Sequence, residues 1–334
     1  MHGDRPPTSD GMWPTGTGPQ RGAGARSSRM KVSICIPTRD REDPLERLLR
    51  SLQELEFGEL PEPSVELVVV DNSPSGSARG VCERWGAGGR WPLRYDIEPV
   101  PGVTPARNRA VRNVAPDTDF IAMIDDDEIP ERGWLENLLL TQQEFAADVV
   151  TGPVFPAFEE MDASLRWVEK GRFFAPPRHP TGAVLEKGFT GNILVRASLL
   201  RSLPAPFDDR FALKGAEDTH LFMRLRQLGT RIVWSDEAIA RESVPRSRMN
   251  LKWILARNFW GWSSQALLER EVRGSPTVVV ARVSKGLALA ALGLVQLPPS
   301  LVLGRHRLYR ALVHLTRGVG TLSGVLGFQS HWPR

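Results

Sequence analysis

FIAMIDDDEIPERGW, residues 120–134, places three adjacent aspartates directly after an apolar run. Four of the five residues in FIAMI are large and apolar, which is typical of a strand buried on both faces of a mostly parallel sheet. Side chains alternate in an extended chain, so Asp125 and Asp127 are expected to point one way and Asp126 the other. Two neighbouring carboxylates repel each other unless a cation lies near them, and an all-oxygen site favours Mg²⁺ or Mn²⁺. The stretch therefore predicts a metal site, although a solvated loop with helix-capping acids explains the tripeptide alone about as well.

On both sides of this stretch the sequence alternates strand and helix patterns, which indicates βαβ units. VSICIP, VELVVVDNS and RYDIEP are predicted strands, and TPARNRAVRNVA is a predicted helix with Thr104 as its N-cap and Pro105 at its first position. Two of the strands, like FIAMI, end in polar residues, at Thr38 and Asp71. Ligands of open α/β sheets bind outside the carboxyl ends of the strands, so this edge is expected to bind a nucleotide.

The phosphates of such a nucleotide need positive charge. The sequence has neither GxxxxGK[ST] nor a GxGxxG after the first strand, so neutralisation is expected to fall to the metal and to arginines. Arg39, Arg107 and Arg109 are the candidates. For any single arginine, surface solubility is the simpler explanation.

A pair of acids opens the predicted helix in GAEDTHLFMRLRQLG, residues 215–229. Acids at a helix N-terminus stabilise the helix dipole and cap free amides, which is a sufficient structural explanation for them. The same position lowers the pKa of a carboxylate and keeps it ionised at neutral pH, as a general base must be. Because the pair follows an Asp-x-Asp site, we interpret it as catalytic, with Asp218 as the base and Glu217 in reserve.

Six motifs in order resemble the family 2 glycosyltransferases of the GT-A fold, and among them the succinoglycan-type bacterial exopolysaccharide glucosyltransferases. They are ICIPTRDR, VVVDNSPSG, PGVTPARNRAV, FIAMIDDDEIP, TGNILVRASLL and GAEDTHLFMRL. The resemblance covers about residues 31–275. It implies a GT-A fold, transfer of a sugar from a nucleotide sugar with UDP as the expected nucleotide, and the aspartate of the ED pair as the base.

The resemblance also implies roles for individual residues. Thr38 and Asp71 would contact the nucleobase or ribose, and Arg107 would support the nucleotide. Asp125 would lie near the ribose, and Asp127 would hold the metal on the diphosphate. The other expected nucleotide-sugar-binding residues are Pro37, Arg39, Asp126, Asn192 and Gly191, where the backbone would approach the sugar closely.

Length and composition are those of a globular protein. With 334 residues, 41% apolar and 25% charged, the chain can hold one large α/β domain with appendages or two ordinary domains. Its two cysteines, Cys35 and Cys82, are far apart, which argues against a disulfide framework and a zinc site. Residues 1–30 are rich in Gly, Pro, Ser and Thr without a continuous apolar segment, so they are predicted to form a disordered tail.

Positive charge is concentrated in the C-terminal region. Residues 31–240 carry 25 Lys and Arg against 34 Asp and Glu, whereas residues 241–334 carry 14 against 3. A basic region binds either nucleic acid or anionic lipid headgroups. Here tryptophans lie among the basic residues, and Gly286–Gly304 has no charged residue. Because the basic region is also the most apolar one, a membrane surface is expected and nucleic acid is not.

Gly286–Gly304 is about the minimum length for a membrane span, but Gln296 and Pro298-Pro299 interrupt it. A re-entrant or interfacial helix pair is therefore expected in preference to a clean span. Two buried helices of the catalytic domain are the alternative.

The predicted organisation is a disordered tail (1–30), a GT-A catalytic domain (31–245) and a basic, apolar, helical membrane-associated region (246–334). The expected activity is metal-dependent, inverting transfer of a hexosyl group from a nucleotide sugar to a lipid-linked glycan or polysaccharide acceptor, at the cytoplasmic face of the cell membrane. The alternatives are a sugar nucleotidyltransferase and a non-catalytic membrane-associated scaffold of a polysaccharide assembly complex.

Overall fold

The computed structural model describes residues 29–329. The predicted disordered tail lies outside these residues except for its last two positions. Of these, Met30 packs against the hydrophobic core, and Arg29 donates to the Glu62 carbonyl while its Nη2 lies 3.8 Å from Glu62 Oε2.

The elements between residues 29 and 329 alternate as the sequence predicts as far as FIAMI. The strands are β1 (Lys31–Thr38), β2 (Ser64–Asp71), β3 (Leu93–Ile97), β4 (Phe120–Ile124), β5 (Glu128–Pro130), β6 (Val149–Thr151), β7 (Val154–Phe158), β8 (Asn192–Arg196), β9 (Ile232–Trp234) and β10 (Ala240–Val244). The helices are α1 (Glu42–Gln53), α2 (Arg79–Gly88), α3 (Val103–Asn113), α4 (Trp134–Phe145), α5 (Arg166–Gly171), α6 (Ala197–Arg201), α7 (Glu217–Gln227), α8 (Leu251–Arg273), α9 (Pro276–Ser300) and α10 (Arg305–Val325).

The main sheet is mixed, in the strand order β3-β2-β1-β4-β8-β6-β9. The first four strands are parallel, whereas β8 runs antiparallel to both of its neighbours. Every residue of β4 is buried, as its apolar run predicts, between two hydrophobic clusters that separate the sheet from its helices. Thr38 pairs in register with Asp71, and β4 lies beside β1. The polar residues that end these strands therefore gather at one edge of the sheet.

Helix α3 begins earlier than predicted, and Thr104 is not its N-cap. Gly102 holds that position with a φ of 134° and no side-chain cap. Its N–H donates to the Asn72 side chain at 2.8 Å, and a Cβ at this position would lie 2.7 Å from the Cβ of Ala212. A close approach and a positive φ together require glycine, so the helix starts there and encloses Thr104 in its first turn.

A second, small sheet has the strand order β5-β10-β7. Strand β10 is antiparallel to β5 and pairs Glu242 with Glu128. The Ser243 N–H also donates to the carbonyl of Asp127 at 3.0 Å. This sheet therefore brings a late segment of the chain against the three aspartates.

The C-terminal region is a bundle of α8, α9 and α10. The apolar stretch Gly286–Gly304 is not a helix pair in itself: residues 286–300 belong to the single 25-residue helix α9, and Pro298-Pro299 lie in its last turn. Gln296, which was expected to interrupt the stretch, hydrogen-bonds with His314 Nδ1 of α10 at 2.8 Å. Within residues 29–329, α9 is the one helix long and apolar enough to cross a membrane, and only 11% of its apolar segment is buried. The alternative of two buried helices is therefore wrong for α9.

Candidate active site

The three aspartates form a turn at the end of β4. The Glu128 N–H donates to the Asp125 carbonyl at 3.1 Å, so the chain is no longer extended there. The predicted alternation of the three side chains is consequently wrong. Asp126 and Asp127 both accept hydrogen bonds from Arg41 Nη1, at 3.0 and 2.8 Å, whereas Asp125 accepts one from Arg107.

Asp126 connects this turn to the end of β1. Its side chain is buried, and Oδ2 accepts a hydrogen bond from the Thr38 hydroxyl at 2.7 Å. Burial raises the pKa of Asp126 to about 6, although Arg41 counteracts the shift. Thr38 is thereby held beside the aspartates, where the resemblance to the glycosyltransferases expects a nucleotide contact.

Asp127 lies in a dense group of charges. Besides Arg41, Arg248 Nη2 approaches its carboxylate at 4.0 Å. Glu128 and Glu242 are close neighbours, and burial raises the pKa of all three acids. Repulsion by Asp125 is a further cause for each of them. Arginine alone therefore does not fully neutralise this corner of the sheet.

The oxygen donors at this corner fit a hard divalent cation. Among residues 29–329, no three His, Cys, Asp or Glu side chains form a closed metal site. Mg²⁺ and Mn²⁺ do not need one, because they bind through one or two carboxylates and complete their shell with phosphate oxygens and water. Burial and the negative charge of Asp125 raise the pKa of Asp127, and a bound cation would stabilise the ionised carboxylate.

Arg107 joins the aspartate turn to the start of α7. Its Nη2 lies 2.7 Å from Asp125 Oδ1, its Nη1 donates to Glu217, and its side chain is only 7% exposed. Burial alone would lower the pKa of Arg107, but Asp125, Glu217 and Asp218 raise it above its ordinary value. The two acidic motifs, almost a hundred positions apart in the sequence, therefore meet at one guanidinium.

The two acids of the ED pair have different environments. Glu217 is buried, and burial raises its pKa in spite of the opposing effect of Arg107. Asp218 is partly exposed, and its Oδ1 accepts a hydrogen bond from the Thr219 N–H at 2.5 Å. Since Glu217 is occupied by Arg107, Asp218 is the acid of the pair that can meet a substrate hydroxyl.

Asp71 has a structural role. Its carboxylate is fully buried and accepts hydrogen bonds from the N–H groups of Ser73 and Ala78 and from the Tyr95 hydroxyl, at 2.8, 2.9 and 3.0 Å. These contacts fix the turn between β2 and α2. The predicted contact of Asp71 with a nucleobase or ribose stays a prediction, since three hydrogen bonds already occupy this buried carboxylate.

Asn192 and Gly191 also stabilise the fold. The Asn192 amide donates to the carbonyls of Pro153 and Ala238 and accepts from Trp134 Nε1, and the side chain is fully buried. The prediction that Asn192 binds the sugar donor is therefore wrong for this conformation. A Cβ at residue 191 would overlap the carboxylate of Glu128, so the close approach that requires Gly191 is made by a protein side chain.

The remaining predicted residues lie around the same edge or away from it. Pro37 is half-buried near the end of β1, and Arg39 is exposed with Asp40 at 3.6 Å. Arg109 is directed elsewhere, to Asp96 at 2.5 Å, so it does not serve the aspartate turn. Of the three arginines considered for phosphate binding, Arg107 is the one that contacts an aspartate of the turn.

Sequence reasoning missed Arg41, Glu128, Glu242 and Arg248. Arg41 and Glu128 carried a signal, because each lies within four residues of a predicted site residue in TRDR and DDDE. Glu242 and Arg248 carried none, because their proximity depends on the pairing of β10 with β5. Arg248 was instead assigned to the membrane-associated region.

Comparisons with known proteins identify the family of the chain. The family model described as Glycosyl transferase family 2 matches residues 33–201, about half of the chain. The succinoglycan biosynthesis protein ExoM of Rhizobium meliloti is 29% identical over 291 residues, covering 84% of this chain and 90% of that protein. A pre-mycofactocin glycosyltransferase of Mycobacterium tuberculosis is 27% identical over 264 residues, covering 76% of this chain and 51% of its own length.

Two solved structures share the fold. The mannosyltransferase PcManGT from Pyrobaculum calidifontis, in complex with GDP-Man and Mn²⁺, has a TM-score of 0.60 at 20% identity, over 90% of this chain and 88% of that one. S. aureus TarS residues 1–349, in complex with UDP, has a TM-score of 0.51 at 18% identity, over 90% and 92%. The fold is that of the GT-A glycosyltransferases. The chain belongs to glycosyltransferase family 2.

Proposed function

We propose that this glycosyltransferase transfers a hexosyl group from a nucleotide sugar, with UDP as the expected nucleotide, and inverts the anomeric configuration. The acceptor is a lipid-linked glycan or polysaccharide of cell-surface or exopolysaccharide synthesis. The observation that carries the proposal is the double contact of Arg107 with Asp125 and Glu217. This contact brings the aspartate turn and the start of α7, with the partly exposed Asp218, to the same edge of the sheet.

The proposed chemistry is a single displacement. Asp218 takes the proton of the acceptor hydroxyl as that oxygen forms a bond to the anomeric carbon, while the bond from this carbon to the diphosphate breaks. Asp218 is suited to the task because it lies in the first turn of α7, is partly exposed and is not the acid that pairs with Arg107. Inversion follows from attack on the face opposite the leaving group.

The nucleoside diphosphate leaves at the aspartate turn. A Mg²⁺ or Mn²⁺ ion held by Asp127 would supply positive charge to the departing phosphates. Arg41 and Arg248 already lie at 2.8 and 4.0 Å from Asp127 and are the nearest positive side chains. We assign them to the same diphosphate, because arginine matches phosphate oxygens in geometry and charge.

We also propose that residues 246–334 hold the enzyme on the cytoplasmic face of the cell membrane. Helix α9 exposes apolar side chains along its length, among them Val280, Leu294 and Val295, which are 65%, 60% and 73% exposed. An exposed apolar surface of this length, flanked by cations, is typical of a segment that contacts lipid. This position would place the active site within reach of a lipid-linked acceptor.

The test is incubation of the full chain with labelled UDP-glucose, Mn²⁺ and a bacterial lipid-linked oligosaccharide fraction. Release of UDP together with transfer of label to the lipid fraction is the expected result. A nucleotidyltransferase would instead release pyrophosphate in a parallel incubation with UTP and a sugar 1-phosphate. Neither release nor transfer, with UDP-glucose or with a panel of other nucleotide sugars, would contradict the proposed activity and favour a non-catalytic role.

A further inference from the structure

Glycines pack the three C-terminal helices unusually closely. A Cβ on Gly318 of α10 would lie 2.7 Å from the Gly286 carbonyl oxygen of α9, and one on Gly320 would lie 2.8 Å from the Phe259 carbonyl oxygen of α8. Such approaches are open only to glycine and are typical of helices that pack in or on a membrane. The side chains next to these glycines are consequently brought together.

Two cations next to the glycines meet on one aromatic ring. Lys285 Nζ lies 4.9 Å from the ring centroid of Trp262, and Arg317 Cζ lies 5.5 Å from it. We call these three residues the Trp262 cluster. Arg317 is half-buried, and its Nε donates to Asn258 Oδ1 at 2.8 Å. The cluster therefore combines one exposed and one half-buried cation on the same indole.

The cations of the Trp262 cluster have no carboxylate partner within 4.0 Å among residues 29–329. The nearby Arg282 differs, because it forms an ion pair with Glu269. A cation–π contact stabilises each charge by about 0.5–2 kcal/mol but does not neutralise it. Two unpaired cations close together, one of them half removed from water, would be stabilised by an anion with several oxygens. Phosphate meets this requirement, because arginine binds it in a fork and lysine as a point charge.

Lys187 relates this cluster to the catalytic base. It lies in the loop before β8, and its Nζ donates to Gln265 of α8 at 2.8 Å. Burial lowers the pKa of Lys187, while Asp218 raises it and Lys285 lowers it further. Gln265 lies one turn after Trp262 on α8, so its hydrogen bond places Lys187 beside the Trp262 cluster. On the same helix, the Trp260 indole N–H donates to the carbonyl of Lys214, three residues before Glu217, at 2.7 Å, so this part of α8 also contacts the segment that leads into α7.

We propose that the Trp262 cluster binds the phosphate group of the acceptor's lipid carrier while the attached sugar extends past Lys187 to Asp218. The inference rests on the lipid-linked acceptor proposed above and assigns its binding residues. On α9, Leu292 lies two turns after Lys285 on the same helix face and is 43% exposed, and this face receives the lipid chain. A ligand with a phosphate next to a long apolar chain matches both the cations of the Trp262 cluster and the exposed apolar surface of α9.

The test measures binding of a polyprenyl diphosphate in detergent micelles to the full-length protein. The variant Lys285→Gln/Arg317→Gln is compared with Arg47→Gln/Arg94→Gln, which removes two exposed cations of the sheet domain that have no ion pair within residues 29–329. Loss of two charge-assisted contacts is expected to weaken binding at least about tenfold in the first variant, and the control is expected to bind like the wild type. Lys285→Gln alone, at an exposed position, is expected to show part of the loss and keeps the test valid if the double variant misfolds.

Four parallel measurements distinguish a lipid-linked diphosphate from other phosphates, and distinguish failure of the Trp262 cluster from failure of the proposed function. Equal losses with phosphatidylglycerol vesicles would mean a general anionic-lipid contact and overturn the assignment to the acceptor. Inorganic pyrophosphate that binds the wild type as tightly as polyprenyl diphosphate does would show that the lipid chain adds nothing and would also overturn it. UDP binding and donor hydrolysis by the same preparations test the proposed function itself and are expected to be unchanged in both variants. Unaltered polyprenyl diphosphate binding by Lys285→Gln/Arg317→Gln, with normal UDP binding, would refute the Trp262 cluster alone.

Discussion

At the scale of single residues, Arg107 links the aspartate turn to the ED pair of α7. Its guanidinium is buried between Asp125 and Glu217, so each charge of the group compensates the desolvation of another. A buried ion pair of this kind contributes little compared with apolar packing, but removing one member leaves the others without compensation. The role of Arg107 is therefore to fix the position of α7, and with it Asp218, relative to the aspartate turn.

We predict that Arg107→Gln lowers the free energy of unfolding by about 3–5 kcal/mol, because Glu217 keeps a buried carboxylate without a counter-charge. Urea unfolding of the purified protein measures the change. Arg112→Gln is the matched control on the same helix: its side chain is 57% exposed and its Nη2 lies 3.9 Å from Glu98, which keeps Arg109 at 3.6 Å, so a loss of about 0–1 kcal/mol is expected. Equal losses in both variants would show that the buried bridge has no special weight.

At the scale of elements, the approach of β8 to β5 explains why glycine precedes Asn192. The Glu128 side chain fills the space that a Cβ at residue 191 would need. Because β5 also pairs with β10, this contact ties the main sheet to the small sheet beside the aspartate turn. The effect of a larger side chain at residue 191 on stability should therefore depend on the side chain at residue 128.

Gly191→Ala is expected to cost about 1–3 kcal/mol of stability, which is typical of an overpacked position. In the Glu128→Ala background the same substitution should cost much less, because the overlapping carboxylate is gone. A double-mutant cycle by urea unfolding measures this coupling. Gly58→Ala, with no atom within 4 Å of the added Cβ, is expected to change stability by no more than about 0.5 kcal/mol. Additive costs at residues 191 and 128 would contradict the contact.

The element that we propose to contact the membrane is α9. Leu294→Asp/Val295→Asp is expected to abolish flotation of the protein with anionic vesicles, since each aspartate costs roughly 2.5–3.5 kcal/mol at the centre of a membrane helix and less near the interface. Leu228→Asp, at a 78% exposed leucine after α7, is the control and should float like the wild type. Persistent flotation of the α9 variant would assign membrane binding to another surface.

At the scale of the whole molecule, the site is an accumulation of acids whose pKa values are raised by burial: Asp126, Asp127, Glu128, Glu217 and Glu242. A carboxyl with a raised pKa in the folded state stabilises the fold below its unfolded pKa, and this stabilisation is lost as the pH rises through the folded value. For Asp126 this interval runs from 3.8 to about 6. Ionisation of these buried acids therefore lowers the free energy of unfolding of the metal-free protein as the pH approaches neutrality.

We predict that the wild type loses stability relative to Glu128→Gln as the pH rises from about 5 to 7.5, because Glu128 ionises in the unfolded chain before it does in the folded one. The difference is the useful quantity, because burial lowers the pKa of His220 and His314, which has the opposite effect below pH 6.5 in both proteins. Urea unfolding across this range in EDTA measures it. A difference that does not change with pH would mean that Glu128 is ionised throughout.

Much of this architecture could be predicted from the sequence, because it depends on local pattern. The apolar runs of β1, β2 and β4 and the acids that open α7 lie where the periodicity indicates. What escaped prediction depends on contacts distant in the sequence. Strand alternation could not anticipate that the aspartates form a turn, and no local signal places Glu242 and Arg248 beside Asp127. Asp71 and Asn192 were identified as important residues, but their polar groups are occupied within the protein.

The most direct measurement is the donor affinity and the transfer rate of Asp218→Asn in one preparation, with Asp209→Asn as an exposed control that precedes α7. Affinity for the nucleotide sugar in Mn²⁺ is expected to stay within about twofold of the wild type, because the aspartate turn is intact. The transfer rate is expected to fall about 10²–10⁴-fold, the usual contribution of a general base. Wild-type transfer by Asp218→Asn, or loss of its donor binding, would contradict the assignment of the phosphate end to Asp127 and the chemical end to Asp218.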